Sequence, residues 1–469
     1  MPSANTDPAL LPAHTLSTEI GAGRLSPVDI VDALLAQIRA QDPKLHAYVE
    51  VYADEARLAA EAADKAIRSG HRVGPLHGIP IALKDLIEIE GRITTGGSQV
   101  WSERRSTYTA TIARRMIAAG MIVLGKTHTV EFAMGGWGTN QHRGTPWNPW
   151  DRETARTPGG SSSGTGVAVA ACMAPWGIGT DTGGSVRLPS SWCGLSGLKT
   201  TIGRVSTYGV LPLSPSLDTP GPMARSVEDA ALLYQLIEGP DPHDPRTLGL
   251  PLAGALATMR RGVRGLKLAR MPAIERDHVS AEMLNAYDAA LETMARLGAE
   301  IVSVELPRRF SEYTQLTGRI IGAESYFLVG DLVDDMNLPI DEAVRPRIAS
   351  GRGVSAREYL GALREQAEAK VEFDAALGDT DALLTPTTTT AAVPLEAVDQ
   401  STTPAHFTRF VNALELCALS IPDGFTASGL PLSLQVVCRP YNEETALRIG
   451  WAYQQATDWH ERHPPGVAA

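Results

Sequence analysis

The stretch GGSSSGTGVAVAACMAPWGIGTDTGGSVRLP, residues 159–189, places an apolar run, which predicts a short helix, between two glycine-rich segments. In the second segment Ser185 follows two glycines, an arrangement that lets backbone N–H groups approach a reacting oxygen, as in an oxyanion hole. A nucleophilic serine also needs a base, usually a histidine, and no histidine lies near Ser185 in the sequence. The base must therefore come from another part of the chain.

The composition excludes several classes of protein. The 469 residues are 43% hydrophobic and 20% charged, so the chain can bury a large core. The net charge of -11 argues against nucleic acid or an anionic membrane as the main partner, because both favour clustered Lys and Arg. The cysteines are widely spaced, so we expect reduced thiols and neither a metal nor another cofactor: Cys172, Cys193, Cys417 and Cys438.

The apolar segments predict the location of the protein. The N-terminal MPSANTDPALLPAHTLS lacks a basic start followed by an apolar run, so we expect no signal peptide. The longest apolar stretches are too short to span a bilayer. We therefore expect a soluble, cytoplasmic protein, and a homodimer is among the oligomeric states that remain open.

Helices and short apolar strands alternate along the chain, which predicts one large α/β domain over residues 1–469. Ser26 and Pro27 open a helix, while PIALK, MIVLGK and GLPLSLQVVCRP are typical of buried strands. GLKLARM and AEIVSVELP flank the helix SAEMLNAYDAALETMARLG as a βαβ-like unit. Residues 308–380 are mostly helical by pattern.

Two motif matches lack the context that their chemistry requires. GMIVLGKT (120–127) fits the phosphate-binding pattern GxxxxGK[ST], but the stretch between its glycines is itself a predicted strand. GSSSG (160–164) fits the nucleophile-elbow pattern around Ser162, yet a polar loop precedes it where an apolar strand is needed. Nucleotide binding is therefore disfavoured, and Ser162 remains an alternative nucleophile.

A third match joins several segments and resembles the amidase signature family of serine hydrolases. The family's run GGSSGG…GTDTGGSxRxP…GLKxTxGRVS corresponds to GGSSSG…GTDTGGSVRLP…GLKTTIGRVS here. The landmarks GIPIALKD, IVLGKTHTVEFAMG, NPWD, SLDTPGPMARSVEDAALL and GLPLSLQVV are also present, and the match extends from about residue 15 to 465. The resemblance implies a central mixed, twisted β-sheet with helices on both faces. It also implies a catalytic core over about 70–230 and a helical pocket region over about 308–380.

The resemblance implies a Ser–cis-Ser–Lys triad, with Ser185 as nucleophile, Ser161 as bridging serine and Lys84 as base. A lysine acts as a base only when neutral, so its pKa must fall several units from about 10.4. The apolar strand PIALK puts Lys84 where burial would lower its pKa, and we expect the Asp85 carboxylate to face elsewhere. In the family, the peptide bond before the bridging serine is cis.

The resemblance also assigns the residues around the triad. Backbone N–H groups of four consecutive residues are expected to form the oxyanion hole: Thr182, Gly183, Gly184 and Ser185. Asp181 and Arg187 are expected to form a buried ion pair that supports the serine loop. Three further hydroxyls are expected to be structural: Ser162, Ser163 and Thr165.

The substrate is less closely defined by the sequence. Met134, Gly135 and Trp137 follow the landmark that borders the acyl pocket in relatives, so we predict that they contact substrate, with core packing as the alternative for Trp137. The main hypothesis is a hydrolase of small, aryl or apolar amides that works through an acyl-enzyme. A carbamate (urethane) or ester hydrolase is one alternative. Another is a glutaminase-type subunit of a tRNA amidotransferase, which needs polar groups for the two charged ends of glutamine.

Overall fold

A mixed eleven-stranded β-sheet runs through the molecule in the computed structural model, which describes residues 7–467. Its strands are β1 (Tyr48–Val51), β2 (Pro80–Lys84), β3 (Ile122–Thr127), β4 (Trp176–Asp181), β5 (Ser196–Lys199), β6 (Thr219–Ala224), β7 (Lys267–Arg270), β8 (Glu300–Ser303), β9 (Ala382–Pro386), β10 (Cys417–Phe425) and β11 (Pro431–Cys438). Their spatial order is β1-β3-β2-β4-β6-β5-β10-β11-β9-β7-β8. The mixed sheet confirms the predicted fold class, and the parallel pairing of β7 with β8 confirms the βαβ-like unit.

Helices flank this sheet and bury it. They are α1 (Ala13–Gly21), α2 (Pro27–Leu45), α3 (Ala53–Arg68), α4 (Thr111–Ala118), α5 (Ser163–Ala170), α6 (Arg187–Cys193), α7 (Val227–Ile237), α8 (Ala255–Thr258), α9 (Ala281–Arg296), α10 (Phe310–Asp334), α11 (Val344–Ala349), α12 (Ala356–Leu377), α13 (Arg409–Ala413) and α14 (Glu443–Gln455). The predicted start of α2 is confirmed, because Ser26 and Asp29 form a reciprocal capping box. Among the described residues, no helix is long and apolar enough to cross a membrane.

Three neighbouring parallel strands place the site at their carboxyl ends. β2 pairs in parallel with both β3 and β4, so their carboxyl ends lie side by side. Lys84 is the last residue of β2, and β4 ends at Asp181, immediately before the Thr-Gly-Gly-Ser loop. The strands are buried throughout, apart from one partly exposed residue in β3, as expected for parallel strands covered on both faces.

Helix α5 brings part of the serine-rich segment to the carboxyl ends of these strands. Its bounds differ from the predicted ones. The sequence predicts a helix over the apolar run 167–174, but α5 begins four residues earlier, in the polar run, and ends at Ala170. Close packing explains the difference, because a Cβ on Gly164 would lie 2.2 Å from the carbonyl oxygen of Ala47. Small residues let the first turn approach its neighbours, and this tertiary contact overrides their weak helix propensity.

The segment GMIVLGKT, which matches the phosphate-binding pattern, contains a strand, as the sequence predicts. Residues 122–127 form β3, between β1 and β2 in the sheet. A Cβ on Gly125 would lie 2.1 Å from the carbonyl oxygen of Glu50 in β1, so the glycine serves a close strand–strand approach. This arrangement leaves no backbone cradle for phosphate.

The helical region predicted over 308–380 contains α10, α11 and α12. These helices pack on one another and form a second apolar cluster with residues such as Leu213, Ile321 and Ile348. The cluster lies beside the serine loop, because Leu213 and Ile321 share a cavity with Ser185. All four cysteines are buried, and none forms a disulfide in the described chain.

Candidate active site

The Lys84 amine lies buried between two hydroxyls. Its Nζ donates to the Ser161 Oγ and to the Thr180 Oγ1, each at 2.8 Å, and no part of Lys84 or Ser161 is exposed. Burial lowers the pKa of Lys84 to about 7, although the negative charges of Asp218 and Asp181 oppose the shift. The amine is therefore poised to exchange a proton with Ser161 near neutral pH.

The neighbouring carboxylate faces away from this amine, as expected. Asp85 accepts hydrogen bonds from the Thr95 amide at 3.0 Å and the Thr95 hydroxyl at 2.5 Å. Its other oxygen lies 3.5 Å from the Nζ of Lys126, which also donates to Thr94. Asp85 thus pairs with a second buried lysine and leaves Lys84 without a contacting carboxylate.

The segment that carries Ser161 is fixed through its backbone. The peptide bond between Gly160 and Ser161 is cis, as the family resemblance implies. The Gly160 N–H donates to the carbonyl of Gly136 at 2.8 Å, and the Ser161 carbonyl accepts from the Val130 N–H at 3.2 Å. One residue further on, the Ser162 N–H donates to the carbonyl of Ser185 at 3.3 Å, so the two serine segments are directly joined.

The serine loop is held by a buried ion pair, as predicted. The Arg187 guanidinium lies 2.9 Å from Asp181, and neither side chain is exposed. Asp181 also accepts the N–H groups of Gly184 at 2.8 Å and Val186 at 3.1 Å, which bracket Ser185. Burial alone would raise the pKa of Asp181, but Arg187 holds it well below its usual range. The carboxylate therefore stays ionised and anchors the loop.

The structure removes Gly184 from the donors expected to form the oxyanion hole. The Gly184 N–H is already donated to Asp181, so it is not free to stabilise charge on a substrate. Within residues 7–467, the amides of Thr182, Gly183 and Ser185 have no intramolecular acceptor. The candidate donor set consequently narrows to these three residues.

The other hydroxyls of the serine run have structural surroundings. Ser162 Oγ lies 3.3 Å from both the carbonyl and the N–H of Thr180. Thr165 Oγ1 contacts the Thr127 hydroxyl at 2.7 Å, and the buried Ser163 hydroxyl has no partner among the described residues. None of these hydroxyls contacts Lys84, and no strand precedes Ser162, so the elbow alternative lacks its structural context.

A cavity of about 70 Å³ opens beside Ser185, whose side chain is nearly buried. Met134 and Gly135 line this cavity, where the sequence predicts substrate contacts. Trp137 does not line it, which corrects the prediction. Its ring stacks on Trp192 at 5.6 Å, and its indole N–H donates to the carbonyl of Thr402 at 3.2 Å. Trp137 thus contacts Thr402, a residue of the cavity wall, without lining the cavity itself.

Sequence reasoning missed two arginines that line the same cavity. Arg347 on α11 and Arg409 at the start of α13 are both half-buried, and neither lies within 4.0 Å of a carboxylate in the described chain. Burial and the nearby charge of Arg347 lower the pKa of Arg409 to about 10. Both residues lie more than 150 positions after Ser185 in the sequence, outside any motif, so only folding places them there.

The Asp181–Arg187 pair gives a direct test of this arrangement. Arg187→Met should lower the free energy of unfolding by about 3–5 kcal/mol, because it leaves the buried Asp181 carboxylate without its cation. Adding Asp181→Asn should recover part of the loss, since the double variant buries no net charge there. Urea unfolding followed by circular dichroism measures both effects. A single variant as stable as the parent would contradict the role assigned to the pair.

Comparisons with known proteins identify the family of the chain. The amidase family model matches residues 29–447. The chain is 37% identical to a glutamyl-tRNA(Gln) amidotransferase subunit from Chloroflexus aggregans, over 95% of this chain and 96% of that protein. It superimposes on the native peptide amidase of Stenotrophomonas maltophilia with a TM-score of 0.86, at 30% identity and with both chains fully covered.

A third similarity is to a structure from a vestigial protein complex that reveals the evolutionary origins of an s-triazine catabolic enzyme. Its TM-score is 0.89 at 30% identity, over 95% of this chain and 98% of that one. Together, the family match and the near full-length relatives identify the chain. It belongs to the amidase signature family of serine hydrolases and is an enzyme that hydrolyses amide carbon–nitrogen bonds.

Proposed function

We propose that Ser185 is the nucleophile, Ser161 the proton relay and Lys84 the base of this hydrolase. The observation that carries the proposal is the 2.8 Å contact between the Lys84 amine and the Ser161 hydroxyl, together with a Lys84 pKa of about 7. At that pKa a large fraction of the amine is neutral at physiological pH and can accept a proton. The hydrogen bond from the Ser162 amide to the Ser185 carbonyl holds the relay next to the nucleophile.

The reaction then proceeds in two balanced steps. Ser185 Oγ attacks the amide carbon as its proton passes to Ser161, whose own proton passes to Lys84. The negative charge that develops on the carbonyl oxygen is stabilised by the free amides of Thr182, Gly183 and Ser185. Losing one such donor typically costs about 2.7–4 kcal/mol of transition-state stabilisation. The relayed proton leaves with the amine or ammonia. Water then hydrolyses the acyl-enzyme to a carboxylic acid.

The substrate that fits this site is a small linear amide. The cavity beside Ser185 holds only about 70 Å³, which favours a small substrate. Carbamates and esters present the same carbonyl to the same triad and remain alternative substrates. Purely aryl or apolar amides are a weaker match than the sequence suggests, because two guanidinium groups line the cavity.

A glutaminase-type subunit of a tRNA amidotransferase is the second candidate. The observation in its favour is the near full-length identity of 37% to a protein of that kind. Such a subunit would release ammonia from glutamine and would require partner chains. Arg347 and Arg409 could take the α-carboxylate of glutamine, but none of the described residues lining the cavity is an Asp or Glu that could take its α-ammonium group.

Labelling with a fluorophosphonate probe tests the triad. We expect the probe to modify Ser185, as located by peptide mass spectrometry, because only this serine joins a base relay to free backbone amides. Lys84→Met and Ser161→Ala should each slow labelling by at least about 100-fold, the range expected for losing general-base assistance.

Ser163→Ala is the matched control, since it removes a neighbouring buried hydroxyl that has no partner among the described residues. Its labelling rate should stay within about twofold of the parent, because no proton transfer passes through it. Modification at Ser162 would contradict the assignment and favour the elbow alternative. Undiminished labelling of Lys84→Met would exclude lysine as the base.

Ammonia release from L-glutamine tests the second candidate. The purified chain alone should turn over L-glutamine slowly, because its cavity offers no counter-ion for the ammonium group. Purification under mild conditions should likewise yield this chain without stoichiometric partners. Rapid glutamine-dependent ammonia release, or a copurifying complex that raises it, would favour the amidotransferase role over that of a free-standing hydrolase.

A further inference from the structure

We propose that the cavity beside Ser185 selects amides whose acyl part carries a carboxylate and no ammonium group. This inference rests on the proposed function, because it names the substrate class of the same site. It depends on three features of the described residues: the position of Arg409, the position of Arg347 and the absence of acidic side chains from the cavity wall.

Arg409 lies directly against the expected oxyanion loop. A Cβ on Gly183 would lie 3.4 Å from the Arg409 Cγ and 3.6 Å from its Nε, so the guanidinium stem packs against that glycine. Only one of its donor contacts is made within residues 7–467, from Nη1 to the carbonyl of Thr314 at 3.2 Å. A guanidinium carries five N–H donors, so most of the Arg409 donors remain for a ligand.

Arg347 lines the same cavity beside Gly135 and Met134. A Cβ on Gly135 would lie 3.1 Å from its Nη1, which donates to the carbonyl of Met134 at 3.1 Å. Its Nη2 donates to the backbone carbonyl of Gln400 at 2.5 Å and to the Gln400 side-chain oxygen at 2.9 Å. These neutral acceptors orient the guanidinium without cancelling its charge. Its positive charge is therefore available to the cavity.

Two half-buried cations without a paired carboxylate are costly unless a ligand supplies the missing negative charge. Burial lowers the pKa of Arg347 as well as that of Arg409, and only the more distant Asp341 opposes the shift at Arg347. A substrate carboxylate would accept charge-assisted hydrogen bonds from guanidinium groups, which are among the strongest in proteins. The cavity is thus complementary to an anion at some distance from the reacting carbonyl.

The cavity has no complementary site for a cation. None of its described lining residues is Asp or Glu, and the carboxylates around it are already engaged by other groups, as Asp181 is by Arg187 and the Gly184 amide. Asp218 accepts the Thr182 hydroxyl at 2.5 Å and the amides of Leu213 and Ser214. Glu324 accepts from Ser214, Ser216 and Tyr359. An ammonium group beside the two arginines would meet only like charge.

These features define the reaction as hydrolysis of a monoamide of a short dicarboxylic acid. Water adds across the carbon–nitrogen bond, the acyl carbon gains an oxygen, and ammonia leaves with the proton relayed from Ser185. The product is the dicarboxylate. No oxidant, reductant or co-reactant other than water is needed.

Three amides of matched length test the selectivity. Glutaramate carries a terminal carboxylate, pentanamide has a methyl group in its place, and L-glutamine is glutaramate with an α-ammonium group. We expect kcat/KM to be at least about tenfold higher for glutaramate than for either other amide, since a hydrogen bond to a charged group is worth about one to two powers of ten. Malonamate and succinamate extend the series to shorter chains.

Arginine variants connect the selectivity to the two residues. Arg409→Met and Arg347→Met should each lower the ratio of kcat/KM for glutaramate to kcat/KM for pentanamide by about tenfold or more. Arg409→Lys should retain part of the preference, because it keeps the charge. Arg364→Met, on the exposed face of α12, is the matched control and should leave the preference for glutaramate unchanged.

A binding measurement separates failure of this inference from failure of the proposed function. Glutarate should protect Ser185 from fluorophosphonate labelling, glutaramide should protect less, and Arg409→Met should reduce the difference. Normal labelling with equal protection, or equal kcat/KM for glutaramate and pentanamide, would overturn the carboxylate selectivity and leave the triad standing. Faster hydrolysis of L-glutamine than of glutaramate would overturn the exclusion of ammonium. Absence of labelling at Ser185 would overturn the proposed function itself.

Discussion

The burial of the Lys84 amine at the carboxyl end of a parallel strand is the constraint on which the rest of the site depends. Moving an ammonium group out of water is unfavourable, so the folded protein favours the neutral amine and brings the pKa of Lys84 to about 7. The neutral amine still needs polar partners, which the hydroxyls of Ser161 and Thr180 provide. In the proposed mechanism this amine is the base, so no histidine is required.

Other buried lysines show that burial alone does not make a base. Lys126 is equally buried, but it lies 3.5 Å from Asp85. Burial lowers the pKa of Lys199 to about 8, yet its amine donates to the carbonyls of Thr200 and Leu416, which have no proton to relay. Lys84 differs because its partners are hydroxyls and because one of them lies on the segment bonded to Ser185.

The surrounding charges are distributed so that this amine stays unpaired. Asp85 is occupied by Thr95 and Lys126, and Asp181 is occupied by Arg187 and the amides around Ser185. Each carboxylate near the site thus has another structural task. The Asp181 contacts hold the loop that carries Ser185, and they occupy one backbone donor, the Gly184 N–H. The contact that fixes the loop therefore also reduces the number of backbone N–H groups free to bind a ligand.

Much of the fold and the proposed triad could be predicted from sequence, because motif residues lie on elements with clear local patterns. PIALK reads as a buried strand, and the glycine-serine segments mark tight backbone. The strand β10 escaped prediction, because Pro422, Asp423 and Gly424 interrupt its pattern where the register shifts. Arg347 and Arg409 were not predicted to line the cavity, because only the folded chain brings α11 and α13 next to the serine loop. Trp137 was misassigned because stacking on Trp192 cannot be read locally.

The pH dependence of Ser185 acylation by a fluorophosphonate tests the central claim most directly. With a Lys84 pKa of about 7, the neutral fraction of the amine rises from about 1% at pH 5 to about 90% at pH 8. The labelling rate should therefore rise nearly 100-fold over this range and level off above pH 8, while circular dichroism shows an unchanged fold. A rate that is independent of pH, or one that continues to rise tenfold per unit up to pH 10, would contradict a neutral Lys84 as the base.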